Sequence, residues 1–202
     1  MSIVPRSATS GARGVLAPIA RGLHRMGVSA NAVTVLGLLL TLVAAWLIAA
    51  GQPAAAVAVL VIGALADTLD GQIAKAAGGG TKLGAFLDST FDRISDAALA
   101  GAAVIYGALH TDPLLLWFAL IALISGSLVP YIRAKAESLG LTASVGLAPR
   151  EARMVLIVLG LVAWAVSADS QLFVMAFAAV ALLSTATVIQ RIAHVIGALR
   201  DT

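Results

Sequence analysis

Long apolar stretches, separated by short polar breaks, follow one another along almost the whole chain. A helix that crosses a bilayer needs about 20 mainly apolar residues, because the hydrocarbon core is roughly 30 Å thick. Six stretches have this character, and the first of them contains no charged residue. The pattern therefore predicts an all-α, polytopic membrane protein with six transmembrane helices. The predicted spans are Asn31–Ala50, Pro53 to about Lys75, Gly84–Leu109, Asp112 to about Lys135, Arg150–Ser167 and Gln171 to about Val195.

The segment before the first span has a different pattern. Its apolar residues recur at near-helical spacing between arginines, which is typical of an amphipathic helix lying in the membrane interface. It lacks a compact apolar region followed by a small-residue cleavage site, so we do not expect a signal peptide that is removed. Residues 1–28 are thus predicted to be a cytoplasmic juxtamembrane amphipathic segment, and residues 29–202 a single six-helix membrane domain. The apolar positions are Val15, Leu16, Ile19, Leu23 and Met26, and the cations are Arg6, Arg13, Arg21 and Arg25.

The composition and the distribution of cations support this arrangement. Hydrophobic residues make up 60% of the 202 residues and charged residues only 11%, which is too apolar for an ordinary soluble domain. If the six spans are correct, all 13 Lys and Arg residues lie on the side of the two termini. The positive-inside rule assigns that side to the cytoplasm, so we expect a plasma-membrane protein with both termini cytoplasmic. The chain has no cysteine, which excludes disulfides and thiolate metal sites.

Half of the ten acidic residues lie between Asp67 and Asp96, within or at the ends of the second and third spans. Ionisable groups at membrane depth are costly and usually functional. Asp67 and Asp70 are three residues apart and Asp88 and Asp92 four apart, so each pair shares one helix face. The short glycine-rich link between the two helices makes them antiparallel neighbours, which brings the four carboxylates together. Hard divalent cations prefer such oxygen ligands, so the pattern predicts a magnesium or manganese site with one or two ions at the cytoplasmic side.

These residues stand in a longer motif. The sequence Asp67-x2-Asp70-Gly71-x2-Ala74-Lys75-x8-Gly84-x3-Asp88-x3-Asp92 resembles the signature of the CDP-alcohol phosphotransferase family at all its fixed positions except one. The exception is Lys75, where the family has arginine, so the charge is kept and the bidentate fork is lost. The resemblance implies that Asp67, Asp70 and Asp88 bind metal, and that Asp92 joins the metal site and acts as general base. It also implies six membrane helices, an interfacial amphipathic helix and a homodimer.

The donor implied by the resemblance is a CDP-linked lipid or alcohol. Gly71 leaves the helix surface bare for a nucleotide or a diphosphate to approach, and Thr81 follows a glycine run whose amides are suited to wrapping a nucleotide. Lys75 occupies the position of the family arginine. Residues 29–34 resemble the stretch of the family that approaches the nucleotide, which adds Asn31 and Thr34 to the candidate donor site.

A group of cations near the ends of the last three spans bears on the acceptor. Singly, each is explained by anionic lipid headgroups, but together they suit an acceptor that already carries a phosphate. Residues 79–96, 131–137 and 149–153 resemble actinobacterial phosphatidylinositol phosphate synthases, which join CDP-diacylglycerol to inositol phosphate and release CMP. The acceptor candidates are Arg133, Lys135, Arg150, Arg153 and Arg191.

Other interpretations remain at this point. The first is a member of the same family with another acceptor such as glycerol 3-phosphate, although Ser89 stands where phosphatidylglycerol phosphate synthases usually have proline. The second is an ion transporter, which the crowding of charges at one side and the lack of an inverted repeat disfavour. A structural scaffold leaves the aspartate spacing unexplained, and no nucleic-acid partner is expected. Asp96 is expected to pair with Arg93 or to support the site, and His24, His110 and His194 to face solvent or headgroups.

Overall fold

The computed structural model describes residues 18–147 and 149–200, and within these ranges every regular element is a helix. Residues 18–25 form a helix, α1. Six longer helices follow: α2 (Ala30–Ala49), α3 (Pro53–Ala76), α4 (Lys82–Leu109), α5 (Pro113–Ser138), α6 (Arg150–Ser167) and α7 (Gln171–Arg200). Each coincides with one predicted span to within a few residues, and α7 extends furthest beyond its prediction. The prediction of an all-α fold is confirmed for the described residues.

Four of the six long helices are both long enough and apolar enough to cross a membrane, namely α2, α3, α5 and α7. The other two carry more charge. Helix α4 carries Asp88, Asp92, Arg93 and Asp96 within nine residues, and α6 begins with three charged residues among its first four. Over the described residues the molecule is all-helical and has the character of an integral membrane protein, with charged residues densest in α4 and at the start of α6.

One compact unit consists of the described residues up to Ala44 together with Ala58–Ser95. Its core contains Ala20 from α1, Val33 from α2, and Ala66 and Ile73 from α3, with Leu23 among the residues packed against them. On α1, by contrast, Ile19 and Met26 are exposed. Val15 and Leu16 lie outside the described residues, and the interfacial position of α1 stays a prediction.

The second unit consists of Ala45–Val57 and the described residues from Asp96 onward. In it α7 packs against both α5 and α6. A chain of rings from Trp164 to Phe173 to Phe177 fills its core, with centroid separations of 5.3 and 5.0 Å. Gly160 lets α6 approach α7 closely, because a Cβ there would stand 2.5 Å from the Cβ of Ala176. Small residues at such crossings are typical of membrane helices.

Candidate functional site

Two helices of the first unit begin at the same cleft. Ser29 precedes α2, and its Oγ accepts the backbone amide of Ala32 at 3.2 Å. Thr81 precedes α4, and its Oγ1 accepts the amide of Gly84 at 2.9 Å. Both are hydrogen bonds typical of helix N-caps. The remaining amides of a helix N-terminus carry partial positive charge, so the two helix ends make this side of the cleft favourable for an anion.

The cleft itself has a volume of about 680 Å³ and lies entirely within the first unit. This volume is in the range of sites that hold cofactors and drug-sized ligands. Most of its lining residues are small, which leaves the backbone accessible to a ligand. The lining residues are His24, Gly27, Val28, Ser29, Ala30, Asn31, Thr34, Asp70, Gly71, Ile73, Ala74, Ala77, Gly79, Gly80, Thr81, Gly84, Ala85 and Asp88.

Two carboxylates lie at this cleft, one from α3 and one from α4. Asp70 is half-buried, and one of its oxygens, Oδ2, accepts the hydroxyl of Thr34 at 2.8 Å. The negative charges of Asp67 and Asp88 both act on Asp70, so two of the other predicted ligands lie within electrostatic reach of it. Asp70 and Asp88 line the cleft, whereas Asp67 and Asp92 are not among its lining residues.

The oxygen atoms of these side chains are suitable ligands for a hard divalent cation. Carboxylate and hydroxyl oxygens are the ligands that magnesium and manganese prefer. Within residues 18–147 and 149–200, however, no three His, Asp or Glu side chains are already drawn together as ligands of one ion. Like-charged carboxylates repel one another unless a cation neutralises them. The structure thus brings Asp70 and Asp88 to one cleft, and the four-aspartate metal site stays a prediction.

Four of the five predicted donor-site residues line the cleft, namely Asn31, Thr34, Gly71 and Thr81. The fifth, Lys75, is exposed in the last turn of α3 and is not among the lining residues. A Cβ on Gly71 would meet nothing within 4 Å, so this part of α3 is open as predicted.

Several lining residues were not identified from the sequence: His24, Gly27, Val28, Ile73, Ala77 and Ala85. His24 is exposed, as expected for a residue facing solvent, but it also borders the cleft. Gly27, with φ of +84°, lies in the turn that joins α1 to α2. The sequence offers one indication that this turn borders the cleft. The turn immediately precedes Ser29, the first residue of the predicted stretch 29–34.

The second unit contains the predicted acceptor cations. Asp96 accepts Nε of Arg150 at 3.1 Å and Nη2 of Arg153 at 3.2 Å, across 54 and 57 residues of sequence. Arg153 is 6% exposed, so its charge is balanced by a carboxylate inside the fold. The sequence had suggested Arg93 as a partner of Asp96, and the ion pairs with α6 were not foreseen.

Two of the cations lie within electrostatic reach of a third, because the charges of Arg133 and Arg153 both act on Arg191. Arg133 is exposed and pairs with Glu137 at 2.9 Å. Arg191 is 9% exposed and donates Nε to the carbonyl of Val145 at 2.9 Å. Lys135, the remaining candidate, is exposed in the last turn of α5.

Comparison with known proteins places these features in context. A family model described as CDP-alcohol phosphatidyltransferase matches residues 27–199. The chain is 36% identical to the phosphatidylinositol phosphate synthase of Mycobacterium tuberculosis over 162 residues, which cover 79% of this chain and 75% of that protein. It is 35% identical to the archaetidylinositol phosphate synthase of Pyrococcus horikoshii over 175 residues, or 86% of this chain and 87% of that one.

Solved structures of the Mycobacterium tuberculosis enzyme have the same fold. The complex with manganese and citrate superimposes with a TM-score of 0.82 at 34% identity, covering 89% of this chain and 88% of that chain. The complex with CDP-DAG gives a TM-score of 0.80 at 34% identity, covering 90% and 93% of the two chains. The likeness therefore extends over most of the sequence and over the backbone.

Proposed function

The chain belongs to the CDP-alcohol phosphatidyltransferase family, and we propose that it transfers the phosphatidyl group of CDP-diacylglycerol to inositol phosphate, giving phosphatidylinositol phosphate and CMP. The observation that carries the proposal is the cleft at which the signature carboxylates Asp70 and Asp88 meet two helix N-termini. The substrates are inferred from the relatives. One solved structure of a relative contains CDP-DAG, and the relatives are synthases of inositol phosphate lipids.

The donor nucleotide binds in the cleft of the first unit. Its diphosphate is an anion, and the amide-bearing ends of α2 and α4 attract it. Asn31 and Thr34 face the same space from α2, and the bare surface at Gly71 admits a flat base or a phosphate against α3. Lys75 adds a positive charge at the end of α3, at the position where the family has arginine.

Asp67, Asp70, Asp88 and Asp92 hold the divalent cation that the family implies, which we propose is Mg²⁺, as one or two ions. When bound, the cation offsets the repulsion among the carboxylates and stabilises the negative charge that develops on the leaving phosphate. Thr34 assists by donating its hydroxyl to Asp70, which fixes the orientation of that carboxylate.

The transfer is a displacement at phosphorus. A hydroxyl oxygen of the acceptor forms a bond to the phosphorus that bears diacylglycerol, the bond from that phosphorus to the bridging oxygen breaks, and CMP leaves with the electron pair. Asp92 takes the proton of the attacking hydroxyl as general base. Proton transfer by a positioned side chain typically contributes about 10²- to 10⁴-fold to such a rate.

The acceptor phosphate binds to the cations of the second unit. The positive charges of Arg133 and Arg153 both act on Arg191, so an anion bound beside Arg191 is favoured. Arginine suits this role because its planar fork matches a phosphate group. Lys135 and Arg150 complete the set from α5 and α6. A phosphate on the acceptor adds charge-assisted hydrogen bonds to this group, beyond the carboxylates that Arg133, Arg150 and Arg153 already contact.

The membrane setting proposed here follows from helix length and charge. All six long helices contain 18 to 30 residues, so even the shortest spans about 27 Å at 1.5 Å per residue. We propose that all six cross the plasma membrane, with both termini and the active site at the cytoplasmic side, and that residues 1–28 lie along the interface. The protein is further proposed to act as a homodimer.

The decisive experiment measures CMP release by the purified protein in detergent micelles with CDP-diacylglycerol and Mg²⁺. Inositol phosphate should support CMP release and yield a phosphorylated inositol lipid, whereas free inositol should not. Release with glycerol 3-phosphate and none with inositol phosphate would replace the proposed acceptor. Absence of CMP with every phosphorylated alcohol would refute the transferase activity in this chain.

A variant isolates the proton transfer. Asp92→Asn keeps the size and the oxygen ligand of the side chain but removes its basicity, so we expect a loss of at least about 100-fold in kcat. Binding of Mn²⁺, measured by isothermal titration, should be weakened but present. Activity near the level of the unmodified protein would show that another group accepts the proton.

A further inference from the structure

The loop between α5 and α6 is attached to one face of α7 at three successive points. The methyl of Thr187 fills the space beside Gly146, where a Cβ would collide with it. One turn further along α7, Nε of Arg191 donates to the carbonyl of Val145, and its Nη1 reaches the carbonyl of Val129 at 2.7 Å. One turn beyond that, Nε2 of His194 lies 3.1 Å from the carbonyl of Thr142.

In these contacts, side chains of α7 meet backbone groups of the loop at fixed positions. Residues 187, 191 and 194 share one helix face, and they meet loop residues 146, 145 and 142 in reverse order, so the loop runs antiparallel to α7. Thr187 is fully buried, and within the loop Ala143 is 1% exposed. Gly146 adopts φ of +140°, a conformation that residues with a side chain rarely take.

This loop leads directly into the cations proposed to hold the acceptor. Only three residues separate Gly146 from Arg150, the first residue of α6. Arg150 and Arg153 are then held from the other side by Asp96. The position of the N-terminus of α6 is therefore defined by α7 through the loop and by α4 through the carboxylate.

We infer that Gly146 and His194 are positioning residues: by fastening the α5–α6 loop to α7, they place Arg150 and Arg153 for the phosphate of the acceptor. This inference rests on the proposed function for the identity of the acceptor. It assigns Arg191 a second task besides binding phosphate, because its Nε and Nη1 hold backbone carbonyls. The loop thus determines the affinity for the acceptor, while the donor cleft is built from other residues.

The test compares Gly146→Ala with Gly140→Ala in the full-length protein. Both glycines lie in this loop and have positive φ, but a Cβ on Gly140 would meet nothing within 4 Å. Gly146→Ala should raise the KM for inositol phosphate about tenfold and leave the KM for CDP-diacylglycerol within about twofold, as expected when an added methyl overpacks a filled contact and shifts the loop. Gly140→Ala should change both constants less than about threefold.

A rescue separates the contact with α7 from backbone strain at Gly146. Thr187→Ser removes the methyl group with which the new Cβ would collide and keeps the hydroxyl that donates to Leu183. The double variant Gly146→Ala with Thr187→Ser should recover part of the acceptor KM. No recovery, or an equal rise in the KM of donor and acceptor, would overturn the positioning role.

His194 provides a second route if Gly146→Ala does not yield folded protein. His194→Ala should raise the acceptor KM about threefold to fivefold by removing one hydrogen bond to the loop, and His194→Gln should restore it because the amide can donate to the same carbonyl. Equal acceptor KM values in the two variants would contradict the inference.

Binding measurements distinguish this inference from the proposed function. Isothermal titration of the unmodified protein with inositol phosphate reports acceptor affinity without catalysis, and Gly146→Ala should weaken that affinity by the same factor as the KM. If the unmodified protein uses glycerol 3-phosphate instead, the proposed acceptor is wrong, and the same variants tested with that substrate decide whether the loop positions the arginines.

Discussion

The hydrogen bond from Thr34 to Asp70 orients one carboxylate that lies within a mainly apolar helix. The hydroxyl lies 2.8 Å from Oδ2, between α2 and α3, and both residues line the cleft. A hydrogen bond to a charged acceptor is shorter and stronger than a neutral one. The hydrogen bond therefore orients the carboxylate of Asp70 although the negative charges of Asp67 and Asp88 repel it.

Replacing this hydroxyl tests the arrangement. Thr34→Val keeps the shape of the side chain and removes its donor, so we expect kcat/KM for CDP-diacylglycerol to fall about tenfold, the effect of losing a hydrogen bond to a charged group. The concentration of Mg²⁺ that gives half-maximal activity should rise as well, because Asp70 loses its orientation.

The matched control is Thr41→Val, on the same helix. The hydroxyl of Thr41 donates only within α2, to the carbonyl of Gly37 at 3.0 Å. This variant should stay within about twofold of the unmodified protein. Equal losses in the two variants would mean that the hydroxyl of Thr34 serves the helix rather than the carboxylate.

The sequence predicts some of these residues much better than others. Asp70 and Asp88 were found because charges in an apolar helix are costly and their spacing fits a known signature. The pairing of Asp96 with Arg150 and Arg153 was missed, since its partners lie more than fifty residues away. Contacts of Arg191 with backbone carbonyls carry no sequence signal at all, because every residue has a carbonyl.

At the element scale, the approach of α4 to α2 is set by a glycine. A Cβ on Gly84 would stand 3.3 Å from Oδ1 of Asn31 and 3.2 Å from Oγ1 of Thr81. Both neighbours are polar residues that line the cleft of the first unit. The absence of a side chain at this position therefore keeps the N-terminus of α4 close to α2, where its amides face the proposed diphosphate.

Alanine at this position should separate donor binding from stability. Gly84→Ala pushes Asn31 or the cap of α4 by a few tenths of an ångström, so we expect the KM for CDP-diacylglycerol to rise about fivefold, while alanine itself favours the helix by about 1 kcal/mol. Gly101→Ala, on the same helix with nothing within 4 Å of the new Cβ, should leave the KM unchanged. Measuring donor KM and melting temperature for both variants checks this, and an unchanged donor KM in Gly84→Ala would contradict the close approach.

Helix existence was predicted well from the apolar pattern, and helix ends less well. The span Arg150–Ser167 was predicted with the bounds that α6 has, because charged residues and a short polar turn mark its two ends. The helix α7 continues to Arg200 instead of ending near Val195. Residues 196–200 (IGALR) are mostly apolar with a single charge at the end, so the apolar pattern does not mark where the helix stops.

At the scale of the whole molecule, the one-sided distribution of Lys and Arg defines the expected orientation. The turns around Gly51, residues 110–113 and residues 168–170 contain none of these cations. In an arrangement of six spans these three turns share one side of the membrane, and the positive-inside rule assigns it to the exterior.

The lack of cysteine allows a direct test of this orientation. Single cysteines at exposed positions, Gln52→Cys and Asp169→Cys, should react with a membrane-impermeant maleimide applied to intact cells. Leu139→Cys, in the loop after α5, should react only after the cells are permeabilised. Labelling of all three in intact cells, or of Leu139→Cys alone, would contradict the six-span topology with cytoplasmic termini.

The small residues that line the cleft of the first unit also affect how the protein can change by mutation. Half of the lining residues are glycine or alanine, so a point mutation at these positions can add a side chain but has almost none to remove. The cations proposed to hold the acceptor are, by contrast, long side chains, each exchangeable by a single substitution. On this scaffold the proposed acceptor site is therefore easier to alter one residue at a time than the proposed donor site.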